Sequence, residues 1–343
     1  SVTGLNHFQT GGPGSQSGIQ LRGLPKAYST VYIDGVKKSD ATTPKNDFYF
    51  DDILTGQISR VEILKGPQTT YFGNNSIGGA LSFITKVPTD KEEASISGTI
   101  GSHGEMTFTG IKSGRVSDKM KARFAFSYHK MDGWLKNTNP KGDNYPNKDG
   151  FNLRSTFVWD SSDDLEAKLK VDIGRLDTAS GMGWQQTNCL PDGSGANITF
   201  IISTCKLGLA AEGFEGLFDD RFSASEKAYG YLNSDSVVLE IKKSIGDAEL
   251  TSITSQQEID ALIPGESDYS SRDFFHWRHD EQSDQFSQEL RLTGQYEDKG
   301  PWMIGFYYQK TDTSNVMNIG RYFVAEWGAA AGIGNSNLAL IRP

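Results

Sequence analysis

Ile58-Ser-Arg-Val-Glu-Ile-Leu-Lys-Gly-Pro67 is followed by Tyr71-Phe-Gly-Asn-Asn-Ser-Ile-Gly-Gly79 and then by Ala80-Leu-Ser-Phe-Ile-Thr-Lys86. This is a strand, a Gly-Pro turn, a glycine-punctuated loop and a second strand. Upstream, Ile19-Gln-Leu-Arg-Gly23 and Val31-Tyr-Ile-Asp-Gly35 repeat the strand-then-glycine form. Strands are expected at 18–22, 30–34, 59–64 and 80–86. A short helix is expected over Asp51-Asp-Ile-Leu-Thr-Gly56, whose acidic residues suit the positive end of a helix dipole. Gly23, Gly35, Gly66 and Gly73 punctuate the strands, where turns need backbone angles that favour glycine. Residues 1–90 thus read as a compact α/β unit, and Lys86-Val-Pro-Thr-Asp-Lys91 reads as a linker.

After residue 91 the pattern changes to strict alternation. In Leu165-Glu-Ala-Lys-Leu-Lys-Val-Asp-Ile173 the odd-numbered side chains are apolar and the even-numbered ones are charged. Phe124, Phe126 and Tyr128 alternate with Arg123, Ser127 and His129. Phe151, Leu153, Phe157 and Trp159 share a face, as do Phe286, Leu290 and Leu292, and then Trp302, Ile304, Phe306 and Tyr308. With 94–101, 105–114, 233–243 and 248–258 the pattern gives about nine strands. Tight connections fall at 116–119, 161–164, 245–247 and 297–301. Long ones fall at 132–150, 178–230 and 259–283, and the connection at 102–104 is short. Long loops on every second connection share one end of a sheet, the asymmetry of an outer-membrane barrel. Trp159, Trp302 and Tyr308 are expected at interfacial girdles.

The composition does not oppose this. The 343 residues are 36% hydrophobic and 11% aromatic, with 38 glycines and a net charge of −9. No run reaches the ~18 apolar residues of a membrane helix, but a membrane strand needs only about 9–11 alternating residues. The acidic balance argues against a nucleic-acid surface.

The three ordered motifs resemble the plug domain of TonB-dependent outer-membrane receptors. That family carries a similar R-[VI]-E-[VI]-L-[KR]-G-P run and a G-G-x-[IL]-x-[IVF]-x-T-[KR] strand. The resemblance covers about residues 1–90. It implies a small α/β plug domain (1–90) followed by antiparallel transmembrane β-barrel strands (91–343), an incomplete part of a barrel of about 22 strands. It implies an active transport receptor in the outer membrane of a Gram-negative bacterium, whose most frequent cargo is a ferric siderophore. Haem, cobalamin or an oligosaccharide are alternatives within the family, as is a receptor acting mainly in signalling. A soluble β-rich binding protein or enzyme is the reading from outside it. The implied partner is a TonB-type energy-transducing protein, reached through a coupling peptide expected upstream of Ser1. Outer-membrane lipid is the implied surroundings, and no cofactor is implied.

By motif match, Arg22 and Lys65 take the positions of plug residues that in the family face glutamates on the inner barrel wall, and Glu289 is a candidate wall partner. Lysine at 65 departs from the common arginine and cannot form a bidentate fork. Asp34, Gly35, Gly66, Pro67, Gly78 and Gly79 read as structural motif residues. Lys26, Tyr28, Lys45, Phe48 and Tyr49 in plug loops, with Trp184 and Phe200 in the 178–230 connection, are ligand-binding candidates, since rings stack on aromatic ligands and lysines meet anionic chelates. Packing of these aromatics against the barrel is the competing reading.

Cys189 and Cys205, 16 positions apart in a polar segment, would in an oxidising compartment close a loop, contributing roughly 3 kcal/mol. Two buried free thiols are the alternative. His276 and His279 have i, i+3 spacing, but their segment reads as a solvated loop, and His7, His103 and His129 are isolated. No nucleophile elbow, phosphate loop or zinc-protease motif is present, so neither an enzyme nor a metal site is expected.

Overall fold

A computed structural model describes residues 3–9, 11, 14–38, 48–49, 57–72, 76–179, 220–224, 229–266, 276–296 and 300–319. The expected 51–56 helix lies outside them. Among the described residues, the N-terminal part has seven short strands: β1 (Leu5–Gln9), β2 (Gln16–Leu21), β3 (Ser29–Ile33), β4 (Val36–Lys37), β5 (Phe48–Tyr49), β6 (Ile58–Lys65) and β7 (Gly79–Thr85). A 3-10 turn covers Lys26–Tyr28, and one helical turn, α1, covers Thr69–Phe72. These make a three-stranded sheet, β1-β2-β5, and a four-stranded sheet, β4-β3-β7-β6. Strands β3 and β7 pair in parallel, Ser29 beside Gly79 through Ile33 beside Phe83. The two sheets share one apolar core of Ile19, Leu21, Val31, Ile33, Phe48, Leu81 and Phe83.

The motif glycines have steric work to do. Gly79 sits at φ +137°, and a Cβ there would lie 2.1 Å from the Leu64 carbonyl oxygen and 2.7 Å from Leu21 Cδ1. Only glycine lets β7 start against both β6 and the core. Gly78 donates its N–H to the Tyr28 carbonyl at 2.7 Å, and Gly66 donates to Gly78 at 3.1 Å, with Pro67 next in the exposed turn.

Strands β8 (Glu93–Ile100), β9 (Met106–Ser117), β10 (Met120–Met131), β11 (Lys136–Asn137), β12 (Lys148–Ser162), β13 (Leu165–Thr178), β14 (Arg221–Phe222), β15 (Gly230–Ile245), β16 (Ala248–Glu266), β17 (His276–Tyr296) and β18 (Gly300–Ile319) follow. Among the described residues, nine of these form one antiparallel sheet in sequence order from β8 to β18, while β11 and β14 pair with each other. The turns joining β9 to β10, β12 to β13, β15 to β16 and β17 to β18 lie at one end of this wall. The longer connections lie at the other, together with the short β8–β9 turn. The segment expected as a loop over 259–283 is shorter than that, because β16 and β17 pair out to Glu266 and His276. His276 and His279 are therefore strand residues. The 21 residues of β17 span roughly 70 Å at about 3.4 Å each, well beyond a bilayer.

The wall is inverted relative to a soluble sheet. Its exposed face is apolar: Phe124 is 44% exposed and Ile304 68%, in company with Leu239, Ile241, Leu290 and Phe306. Its covered face holds Arg123, Arg154, Lys170, Gln257, Glu281 and Gln285, all buried. Phe124 meets Phe157 edge-on with centroids 5.5 Å apart, and Phe126 stacks with Phe151 at 6.2 Å, so rings of β10 and β12 pair on this outer face. Trp159 and Trp302 lie near the short-turn end of their strands. Tyr308, expected at a girdle, lies midway along β18.

The N-terminal part docks on the covered face through the β3–β4 turn. Asp34, at φ +52°, accepts from the Thr85 N–H at 2.9 Å and the Thr85 hydroxyl at 2.7 Å. It also pairs with Lys170 Nζ of β13 at 2.8 Å, with the two side chains 7% and 6% exposed. Val36 packs with Val238 of β15 and Ile253 of β16, and Ile253 Cδ1 would lie 3.1 Å from a Cβ on Gly35. The Lys37 carbonyl accepts from Gln257 of β16 at 3.1 Å and Gln285 of β17 at 3.2 Å. One four-residue turn thus touches four consecutive wall strands. Burial opposes the charge on Asp34, but Lys170 and the two bonds from Thr85 outweigh it and hold the carboxyl below its ordinary value.

Four outcomes are expected. Gly79→Ala should cost about 1–3 kcal/mol of strain and render the N-terminal part protease-sensitive in membranes; unchanged resistance would show that β7 tolerates a Cβ. Lys170→Met leaves Asp34 buried without its cation, at about 3–5 kcal/mol, read as a lowered unfolding midpoint. Because the folded pKa of Asp34 is depressed, its contribution is complete above the ordinary value of 3.8 and is lost as pH falls through the depressed one. A titration of plug docking should therefore show an acid-side loss that Asp34→Asn, Lys170→Met flattens. Finally, β8 and β18 each have one partner in the described sheet, and an unpaired edge in lipid costs several kcal/mol per group. Residues 1–343 refolded alone should give no heat-stable, protease-resistant barrel; recovering one would overturn this.

Candidate ligand-binding and plug–wall site

Glu281, 1% exposed, is buried on the covered face of β17. Gln16 Nε2 donates to both its oxygens at 3.0 and 3.1 Å, and the Tyr49 hydroxyl donates to Oε2. His279 Nδ1 lies 3.2 Å from Oε1, and its Nε2 meets Asn315 of β18. Gln16 and Tyr49 are direct cross-strand partners of β2 and β5, so their side chains converge on one carboxylate. The Tyr49 ring packs with Leu176, Leu232 and Ala261. Nearer the short-turn end, Arg123 of β10 donates to Gln57 Oε1 at 3.0 Å and pairs with Glu93 at 2.6 Å. Within the wall, Arg154 pairs with Asp172.

Among the described residues, Arg22, Lys65 and Glu289 do not pair with one another. Arg22 is exposed, at φ +53° in the turn after β2, where its N–H donates to the Gly4 carbonyl at 2.7 Å. Lys65 Nζ donates to the Thr3 carbonyl at 2.6 Å. Glu289 pairs with Arg291 of its own strand at 3.0 Å. Lys65 ends edge strand β6 and is captured by the passing N-terminal backbone. Tyr32, whose hydroxyl donates to the Phe72 carbonyl at 2.6 Å, is the plug group that feels Glu289. Burial, then the nearby Tyr307 and Glu289, push its phenol well above the ordinary value.

The ligand candidates divide. Phe48 and Tyr49 are 1% and 3% exposed, one in the core of the N-terminal part and one against the wall, so they pack rather than present a ring to solvent. Lys26 Nζ sits 5.5 Å over the Phe8 ring, and Tyr28 is 42% exposed. Lys45, Trp184, Phe200, Cys189 and Cys205 lie outside the described residues, so neither the stacking roles nor the disulfide is placed.

At the long-loop end, two connections are joined into one rim. Strand β11 pairs with β14, Asn139 Nδ2 donates to the Ala224 carbonyl at 3.2 Å, and the Tyr145 and buried Phe222 rings meet edge-on at 6.2 Å. Beside this rim is a polar cavity of about 420 Å³, lined by Lys130, Asp132, Asp143, Asp149, Asp177 and Tyr229 among others. Lys130, Asp149 and Asp177 share the register parity of Phe126, Phe151 and Ile173, which places this cavity on the outer side of the wall rather than in its lumen.

Sequence reasoning missed Lys170, Arg123, Gln57 and Glu281 as contacts of the N-terminal part. Lys170 and Arg123 were legible as members of a polar face. Glu281 was not, because β17 is polar on both faces near it and shows no alternation.

Residues 1–80 match the family model of the TonB-dependent Receptor Plug Domain. The chain is 30% identical over 149 residues to the vitamin B12 transporter BtuB of Vibrio vulnificus (strain YJ016), a match covering 42% of this chain and 24% of that protein. In fold it resembles the ferric yersiniabactin uptake receptor FyuA from Yersinia pestis, with a TM-score of 0.69 at 20% identity, over 93% of this chain and 46% of that one. It likewise resembles the ferric citrate transporter FecA in its unliganded form, with a TM-score of 0.66 at 12% identity, over 93% and 45% of the two chains. The chain thus spans about a quarter of the curated relative and less than half of either solved receptor. Residues 1–80 thus carry the plug domain of TonB-dependent receptors, and plug and wall together share the fold of the solved receptors.

Proposed function

We propose that residues 1–90 act as the plug and residues 91–343 as the N-terminal part of the barrel of an active transporter that imports a ferric siderophore. The observation that carries this reading is the inverted wall with a folded domain seated on its polar face. A lumen occupied in this way does not conduct passively, and the outer membrane holds no ion gradient to drive movement. Energy must then come from an inner-membrane complex of TonB type, through a peptide preceding the plug. On this reading the chain binds and passes its cargo without catalysing a reaction on it, and Lys26 and Tyr28 are the plug residues offered to the ligand.

Siderophore is preferred because the similar solved receptors named above carry ferric chelates. Cobalamin is the second reading, favoured by the 30% identity to a vitamin B12 transporter. The test is the amount of this protein in the outer membrane of its source organism under iron starvation, with uptake measured in a deletion strain. Strong induction that added iron suppresses, and lost uptake of ferric siderophores, is the expected result. No response to iron, with lost uptake of cyanocobalamin, would replace the first reading by the second.

A further inference from the structure

The outward face of the wall changes character at one level. On β13 the outward side chains Leu165, Ala167, Leu169, Val171 and Ile173 are apolar, and Arg175 and Asp177 follow them toward the long-loop end. On β10, Phe124 and Phe126 give way to Tyr128 and Lys130. On β12, Phe157, Leu153 and Phe151 give way to Asp149. The apolar run from Leu165 to Ile173 covers roughly 27 Å of strand at about 3.4 Å per residue, comparable to the apolar band of a membrane barrel, about 25 Å tall. The charged residues beyond it therefore stand at the level of lipid headgroups rather than of acyl chains.

The polar cavity of about 420 Å³ opens at that level. Lys130, Asp149 and Asp177 lie side by side across β10, β12 and β13, inside the sheet rather than at its edges. Opposite them is the 142–147 stretch. The Asn137 N–H donates to Asn144 Oδ1 at 3.2 Å, Asn137 Nδ2 donates to the Asp143 carbonyl at 3.3 Å, and the Thr178 hydroxyl donates to the Asn147 carbonyl at 2.8 Å. The cavity is thus preformed, which spares a ligand the cost of ordering it. Asp149 and Asp177 face each other directly, an unfavourable arrangement for like charges. The Tyr229 hydroxyl donates to Asp177 at 2.7 Å, and Lys130 Nζ lies 3.9 Å from Asp149. An ionised carboxylate accepts several hydrogen bonds, so the pair suits a ligand rich in donors. Four aspartates against two lysines make the lining acidic and disfavour a bare anion. The amides of Asn144 and Asn147 offer both donors and acceptors, and the exposed Tyr229 ring offers a flat apolar surface. Hydroxyls carried on a sugar ring match this lining, and Lys130 and Lys148 accommodate a phosphate carried on the sugar.

We propose that this cavity binds the saccharide headgroup of a glycolipid of the outer leaflet, whose acyl chains lie along Phe126, Phe151 and Ile173. The membrane is the source because the cavity is continuous with the lipid-facing side of the wall, while the plug and any cargo occupy the other side. The proposal rests on the reading of residues 91–343 as a barrel wall, and it is independent of which cargo is carried.

The experiment is amide hydrogen exchange on the full-length receptor in phosphatidylcholine nanodiscs. The probes are a lipopolysaccharide truncated to its lipid A and inner sugars, the oligosaccharide released from it, and phosphatidylglycerol as an acidic lipid without sugar. The glycolipid should slow exchange at 142–147 about fivefold or more and leave the 161–164 turn at the far end unchanged; the other two probes should do neither. The double variant Asp149→Ala, Asp177→Ala should abolish the slowing. Should it fail to assemble, Tyr229→Ala removes the ring and one donor, and a weaker slowing is expected. Equal slowing by phosphatidylglycerol would show that the cavity reads charge, and equal slowing by the released oligosaccharide would move the source to the external medium; either overturns the proposal, as does slowing that persists in the variants. A receptor that stays out of the nanodisc would overturn the wall reading and this proposal together. One that inserts and gains no protection from the glycolipid would overturn this proposal alone.

Discussion

A backbone that crosses lipid must pair every amide within itself, and the wall's outer surface must be apolar because nothing polar awaits it there. Everything else in this chain follows from that requirement. With Phe124, Leu239 and Ile304 turned outward, strict alternation forces Arg123, Lys170 and Glu281 inward. The inward face is therefore unfit to be a hydrophobic core. It needs water or a domain that brings polar partners, and the plug brings Gln57, Asp34, Gln16 and Tyr49.

This inversion explains why the plug looks as it does. Its own core is small and lies between two thin sheets. Its contact surface is built from turns and strand ends rather than from an apolar face. Buried charge is tolerated because each charged group meets several partners: Asp34 has Lys170 and two bonds from Thr85, and Glu281 has Gln16, Tyr49 and His279.

The alternation of Leu165–Ile173 was readable because one face meets lipid and the other meets the plug, so side-chain polarity reports position directly. The motif glycines were readable because backbone geometry at Gly79 admits no side chain. Legibility failed where polarity stopped reporting the face. His276–Gln285 lies along the part of β17 that stands beyond the apolar band, both its faces are polar, and a strand there looks like a loop. The plug aromatics failed for a related reason: Phe48 and Tyr49 follow a polar stretch, as ligand-contacting residues would, yet each fills a packing site.

The sequence alone determined the family motifs, the order of plug before barrel, the period-two strands and the end that carries the long connections. These are local properties, set by two-residue periodicity and by turns that tolerate few residue types. Only the tertiary structure decided which plug residue meets which wall residue. Among the described residues, Arg22 and Lys65 meet backbone carbonyls of the N-terminal segment rather than Glu289, while Asp34 and Tyr49 gain partners 136 and 232 positions away. Such pairings depend on the docking angle of one domain against another, and an angle of that kind leaves no periodic trace in either segment.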